Sequence, residues 1–404
     1  MLRAMYSGIS GISGFQTKLD VIGNNIANVN TAGFKKGRTT FEDLVSQQMA
    51  GASTPTDNRG GTNPIQVGLG GTTATVDTVH TQGSLQNTGR DLDLGISGDG
   101  FFVVNDGLNS FYTRAGNFYL DQQGNLVNSN GYLVQGYGIV DDEVDEAGGI
   151  GPLNISSGAT IPPVATTEAD IRGNLNSGTE IGESRDVRFY VVDEIGREHL
   201  IEIEFTKSAN NLWEYSISSD EFDIAGGSTG TLDFVSGNLT DDLTNITLQL
   251  NDPNIEDVAF EIDFSQMTQY ERPSSAELYN INGNLDGTLE SYSVSPKGEI
   301  FGVFSNGQVN ILGQIALATF NNPGGLTKTG QNLYQLSSNS GVPRIGFPGE
   351  GGRGEMTGAT LEMSNVDLSE EFTEMIVAQR GFQANTRIIT TSDEILQELV
   401  NLKR

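Results

Sequence analysis

Apolar residues return every third or fourth position at the two ends of this chain and nowhere for long between them. At the start the set is Leu2, Met5, Ile9, Ile12, Leu19, Ile22, Ile26 and Val29, with Gln16 in the one polar gap. At the finish it is Leu368, Phe372, Met375, Phe382, Ile389 and Leu396. Such spacing gathers side chains on one stripe of an α-helix. A stripe of this kind must be covered by something. Two of them, separated by most of the chain, point to ends that meet in space, for assembly rather than for chemistry.

The N-terminal helix carries a flaw. Ser7-Gly8, Ser10-Gly11 and Ser13-Gly14 form a small-residue repeat, and each interior Gly costs roughly 1 kcal/mol relative to Ala. Alone in water such a helix is marginal. Its bare face lets another helix approach closely, so it is expected to order when packed. Asn24-Asn25 and Asn28 to Asn30 end it, and Thr31-Ala32-Gly33 turns the chain. The C-terminal helix is expected to start at Asn365-Val366-Asp367 and to run to about Leu402, with Asp367, Glu370 and Glu371 near its positive end. Its heptad is imperfect. Gln379, Thr386 and Asp393 take seam positions, and a second stripe of Ile388, Ile395, Leu399 and Leu402 takes over. That offset predicts two neighbours rather than one.

Between the ends the period changes. Residues 35–70 are polar, with Pro55, Pro64 and Gly60-Gly61, and read as an extended linker in which Phe41, Leu44 and Val45 could support one short helix. From Gly71 to about Leu153 the alternation is two: Asp91-Leu92-Asp93-Leu94, then Phe101-Phe102-Val103-Val104, punctuated by hairpin turn signals at Gly124-Asn125 and Asn130-Gly131. A second alternating block spans 160–267, with Val187, Phe189 and Val191, with Leu200 or Ile201, Ile203 and Phe205, and with Trp213, Tyr215 and Ile217. After Pro273 the earlier pattern resumes, so the second block reads as an insert. The expected fold class is α+β and multidomain: a terminal α-helical coiled-coil layer plus two antiparallel β-rich domains, the outer inserted in the inner. The expected boundaries are 1–30 and 366–404 for the helices, 31–71 and 341–365 for the linker, 72–150 and 273–340 for the inner β domain, and 151–272 for the inserted one. The 52 glycines fit many short strands joined by turns.

The formal charge is −30. Residues 1–50 carry five basic against three acidic residues and residues 366–404 four against seven, which leaves −29 in the middle. That argues against nucleic acid, which requires basic contacts, and against anionic membrane surfaces. There is no cysteine, hence neither disulfides nor thiol chemistry. No apolar run approaches the ~18–20 residues of a membrane span. The start lacks the apolar block of a cleavable secretory signal, so an exported chain is expected to keep its N-terminus. His80 and His199 have neither metal-ligand spacing nor a triad partner in view. Asp91 to Gly95 only faintly echoes a calcium loop, because its twelfth position is Phe102. The acidic run 141–146 reads as a solvated boundary loop. No catalytic, cofactor-binding or metal-ligating residue is expected, and no cofactor.

One stretch is specific. Gly23-Asn24-Asn25-Ile26-Ala27-Asn28-Val29-Asn30-Thr31-Ala32-Gly33-Phe34-Lys35-Lys36 closely resembles the N-terminal motif of the bacterial flagellar rod and hook axial proteins. Ser364-Asn365-Val366-Asp367-Leu368-Ser369, continuing through Met375 to Asn385, resembles the family's C-terminal signature. Gly98-Asp99-Gly100-Phe101-Phe102 and Tyr112 to Phe118 resemble its first β domain, and Pro162-Pro163 to Leu175 the entry to an inserted one. Gly381 departs from the pattern, since many relatives have a non-glycine before that aromatic. The motif residues are then Asn24, Asn25, Ala27, Asn28, Asn30, Thr31, Gly33, Phe34, Asn365, Val366 and Asp367, and the assembly stripe is the apolar set above together with Leu399. The resemblance implies a non-enzymatic structural subunit of a tubular polymer. The length and the insert imply the curved, flexible hook that passes torque from rod to filament, with a straight distal-rod tube as the alternative. A β-modular adhesin or muralytic enzyme is the competing class. Implied partners are other copies of the chain, rod proteins, the hook cap, hook–filament junction proteins and the flagellar type III export apparatus, with no membrane insertion.

Overall fold

The computed structural model describes residues 2–55, 59–140, 143–156, 158–219, 223–240, 243–249 and 258–402. The chain divides into two compact units. The first comprises Met1–Ser156, Tyr292–Phe301 and Ile311–Arg404; the second comprises Ser157–Ser291 and Gly302–Asn310.

In the first unit the terminal stripes form helices α1 (Leu2–Ala27) and α2 (Leu368–Asn401). Asp367 caps α2, its carboxylate accepting from the backbone N–H groups of Ser369 and Glu370, and so satisfies donors that a helix start leaves unpaired. Residues 37–43 form a strand rather than the short helix expected around Phe41. Gly37–Asp43 pairs antiparallel with Gly71–Thr78. The reason is tertiary: the Phe41 ring packs over α1, where a Cβ on Gly14 would stand 3.0 Å from it. The other stretch expected as linker also enters ladders. Glu355–Gly358 pairs with Leu94–Ser97, and Thr360–Glu362 with Leu85–Asn87. Beside these pairs, Phe101–Asn105 hydrogen-bonds to Ser110–Thr113, Leu133–Tyr137 and Leu317–Thr319. Phe101, Val103, Tyr112, Ala318, Phe320, Leu326 and Tyr334 form a core on one face. Among the described residues no helix is long and apolar enough to cross a membrane.

The second unit shows period two converted into a buried face. Ser184–Val192, Glu198–Ala209, Leu212–Ser218 and Thr229–Val235 run as an antiparallel meander. Register sets Val187 opposite Ile203, Phe189 opposite Ile201, Phe205 opposite Tyr215, and Trp213 opposite Leu232. All lie in one core, and Leu200 stays outside it. Such cross-strand pairs are the unit of sheet stability. One pairing is parallel, Glu168–Asn176 with Val258–Tyr270. Parallel neighbours require a long crossover, and the meander supplies it.

Candidate assembly interface

The two helices run antiparallel. Gly8 faces Asn385 and Ile389, Gly11 faces Asn385, and Gly381 faces the ring of Phe15. Farther along, Lys18 Nζ meets Glu374 Oε2 at 3.2 Å and Asn25 Nδ2 donates to Glu371 Oε1 at 3.1 Å. A Cβ on Gly11 would lie 2.9 Å from the Asn385 amide, and one on Gly381 2.5 Å from the Phe15 ring. The bare face of α1 is therefore where α2 approaches. Gly381, the departure from the family pattern, is where Phe15 fits.

The seam on α2 sits one residue earlier than the heptad read from sequence. Glu371, Ala378, Asn385 and Ser392 alternate with Met375, Phe382, Ile389 and Leu396 along the covered side, while Gln379, Thr386 and Asp393 are exposed. Glu371 and the small Ala378 and Ser392 are the buried members, and the small residues let a Gly-rich partner approach closely. Of the predicted stripe, Ile22 is buried, and Met5, Ile12, Leu19, Ile26 and Val29 are half-buried. Ile9, Leu368, Phe372 and Leu399 are exposed. The side chain of Leu2 lies outside the described residues.

The motif after α1 forms a junction that locks the helix pair to the β strands. Asn25 binds Gly37 in both directions, its Nδ2 donating to the carbonyl and its Oδ1 accepting from the N–H, each at 2.9 Å. Asn28 Nδ2 donates to the carbonyl and side-chain oxygens of Asn24, and Thr31 Oγ1 donates to Asn28 Oδ1. Gly33 has φ +69°, and a Cβ there would meet the Ala115 nitrogen at 2.5 Å. Only glycine fits that left-handed, close-packed position. Phe34 is buried, with Lys328 over its ring. From the other end, Asn365 Oδ1 accepts from Lys36 N at 2.8 Å, and its Nδ2 donates to the Val79 carbonyl at 2.9 Å. Ala27 is exposed, Asn30 is exposed and Val366 is half-buried.

Beneath the junction lies a buried ionic cluster. Lys35 Nζ meets Glu362 Oε1 at 2.6 Å, and Arg114 Nη1 meets Glu362 Oε2 at 3.3 Å, with side-chain exposures of 1, 0 and 3% for Lys35, Glu362 and Arg114. Lys35 also donates to the Thr81 carbonyl, Gly83 N–H to Glu362 Oε1, and Arg114 Nη2 to the Gly98 carbonyl. Burial holds the Lys35 and Arg114 pKa values below their ordinary ranges, opposed by Glu362. Sequence reasoning did not single out these three residues. Lys35 and Arg114 stood inside motif stretches, and nothing local marks Glu362.

Glu371 is a fourth residue that it missed. It was read as helix-dipole complement, yet it is buried against α1, and its Oε2 has no hydrogen-bond partner. Desolvation raises its pKa above the ordinary 4.5, opposed by the Asn25 hydrogen bond. A raised carboxyl pKa favours the neutral form in the folded pair. Its contribution is present below the ordinary value and is lost as pH rises through the folded one. Glu371→Gln is therefore expected to stabilise the helix pair at neutral pH by about 1 kcal/mol, with no gain near pH 4 in thermal melts followed by circular dichroism. Equal shifts at both pH values would refute the assignment.

Four family models match the chain. They are the flagella basal body rod protein model over 5–35, the flagellar hook protein FlgE/F/G D1 domain over 95–174, the flagellar basal body protein FlaE D2 domain over 165–284, and the flagellar basal body rod FlgEFG protein C-terminal model over 358–402. The flagellar hook protein FlgE of Borreliella burgdorferi is 41% identical, with both chains covered completely. That of Treponema pallidum is 37% identical at the same coverage. The flagellar basal-body rod protein FlgG of Bacillus subtilis is 38% identical, again with both covered completely. A crystal structure of Helicobacter pylori flagellar hook protein FlgE2 aligns at TM-score 0.53 and 17% identity, covering 69% of this chain and all of that one, a likeness of fold.

Proposed function

Because this chain belongs to the family of flagellar hook and basal-body rod proteins, we propose that it works as a universal joint. It is a structural subunit of the hook, and it polymerises with other copies of itself in the setting of the basal body. In the proposal the tube is curved and flexible, and it transmits torque from rod to filament. The paired terminal helices line it, and the β domains stand at larger radius. The domain limits are those read from sequence, 1–30 with 366–404, 31–71 with 341–365, 72–150 with 273–340, and 151–272.

One observation carries the reading. After α1 and α2 have covered each other, α2 still exposes apolar residues on both flanks of the seam. Leu368, Phe372 and Ile376 are exposed on one side, and Val377, Ile388, Ile395 and Leu399 on the other. At 3.6 residues per turn the flanks stand roughly 100° to either side of the seam. Two flanks accommodate two neighbouring copies. Each large side chain removed from water contributes about 1.5–3 kcal/mol. That gain opposes the ordering cost of about 1–2 kcal/mol per residue, a balance close for one helix pair and favourable in a lattice.

A chain with weak, Gly-interrupted ends is easy to unfold. That suits passage through the flagellar type III apparatus without a cleaved signal, with folding completed on assembly beneath a cap. Rod proteins and hook–filament junction proteins are the neighbours at the two ends. The chemistry is structural, without catalysis. The alternative of a straight, rod-type tube has less support, one rod protein standing beside several hook proteins among the relatives named, and electron microscopy of the isolated polymer separates the two by curvature.

The insert's role has its own test. Val164 and Asn284 exchange two backbone hydrogen bonds, at 2.9 and 3.1 Å, so 165–283 can be replaced by a short Gly-Ser link. The expected product is a tube that still forms, since its helices are intact, but whose curvature or flexibility is changed. Normally curved, equally flexible tubes would remove the insert from the mechanism.

A further inference from the structure

His80 was read from sequence as a histidine without function, and the junction does not use it. In the first unit it lines a cavity of about 120 Å³ together with Asp99, Phe101, Arg114, Pro323, Arg344 and the glycines of the 351–352 loop. That is room for several waters. Both ring nitrogens of His80 are buried without a hydrogen bond of good geometry, and so is Nε of Arg114, a residue only 3% exposed. Buried donors of this kind are rarely left unpaired.

The surroundings set the sign of what is missing. The His80 ring is held between Phe101 at 5.7 Å and Tyr334 at 5.5 Å. Lys35, Arg114 and Lys328 lie close enough to oppose its protonation. Arg344 adds a further cation to the cavity wall. Against these four stand two carboxylates. Glu362 is already engaged by Lys35 and Arg114, and Asp99 is exposed. The Pro323 backbone favours the protonated ring, but the cations still outnumber the carboxylates, and the site has a surplus of positive charge.

We propose that this cavity is an oxyanion site, in which Arg114 Nε, His80 and Arg344 receive a free inorganic phosphate or the carboxylate of another copy of this chain. An oxyanion would supply acceptors to all three groups at once, whereas waters would leave the charge uncompensated. Without an anion beside it, His80 is neutral at neutral pH. Burial first, and then the three cations, lower its pKa to about 4. An anion within about 4–6 Å raises it, by about one to three units.

The test uses the full chain, in which His80 and His199 are the two histidines. His199 sits in the second unit beside Asp193 and serves as the internal control. In monomeric protein at constant ionic strength, titration with phosphate is expected to raise the His80 pKa, read by NMR, and to leave His199 unmoved. Arg344→Gln is expected to weaken the phosphate response at least tenfold, and Asp99→Asn to strengthen it. A full response in Arg344→Gln would place the phosphate elsewhere and overturn the proposal. If phosphate leaves the monomer unchanged but His80 shifts upward on polymerisation in phosphate-free buffer, the occupant is another copy's carboxylate. A ring unmoved by both means a cavity filled with water, and the oxyanion assignment is wrong.

Discussion

Glu362→Gln is expected to lower the stability of the first unit by about 3–5 kcal/mol, because it leaves Lys35 and Arg114 buried without a counter-charge. For a unit of this size that is a fall of roughly 10 °C in melting temperature. The loss should depend on pH. Without Glu362, burial holds the Lys35 ammonium still further below its ordinary pKa. The folded state then binds fewer protons than the unfolded one, so stability rises with pH. The deficit should shrink as pH climbs toward the ordinary lysine range. Adding Lys35→Met should return part of the loss at neutral pH, because one of the two stranded cations is gone. A single variant as stable as the parent would mean that the cluster is not what fastens the junction. Failure of the pair to recover would locate the cost in Arg114 alone.

The second large effect is on assembly. Ile22 is 2% exposed in the α1–α2 seam. Ile22→Asp forfeits about 1.5–3 kcal/mol of apolar burial and asks the seam to take an unpaired carboxylate, a cost of several kcal/mol more. The helices are expected to separate and polymers to be absent in electron micrographs. The second unit offers a built-in control. Trp213 is the chain's one tryptophan, and it lies in that unit's core. Its fluorescence should therefore match the parent's. Normal tubes from the variant would refute the stripe. A red-shifted tryptophan would show that the substitution had unfolded more than the seam.

Much of the fold was legible because it is written in local periods. Stripes at three and four foretold α1 and α2, and alternation at two foretold the meander through Phe189, Ile203 and Tyr215. Alternation could not choose between Leu200 and Ile201. Pairing of Ile201 with Phe189 made that choice. Phe41 was misread for the same reason. A short apolar cluster suits either a helix or a strand, and Gly14, far away in sequence, supplied the surface that selected the strand.

The junction was legible as a motif but not as a mechanism. Asn25, Gly33 and Asn365 were marked by resemblance, and only their partners show that they bind Gly37, pack on Ala115 and hold Lys36. Glu362, Arg114, His80 and Glu371 carried no usable signal. A charged residue's burial depends on which distant segments close over it, and no local spacing encodes that.

By itself the sequence determined the two terminal helices and the alternating strands of the meander, that the ends carry faces needing cover, and that the charge belongs to the middle. These follow from side-chain periodicity and composition, which act within a few residues. Tertiary structure alone decided the seam register on α2, the burial of Lys35 with Glu362 and Arg114, and which apolar flanks stay open. Each of those depends on the free energy of removing particular groups from water together, a quantity that exists only once distant parts of the chain have met.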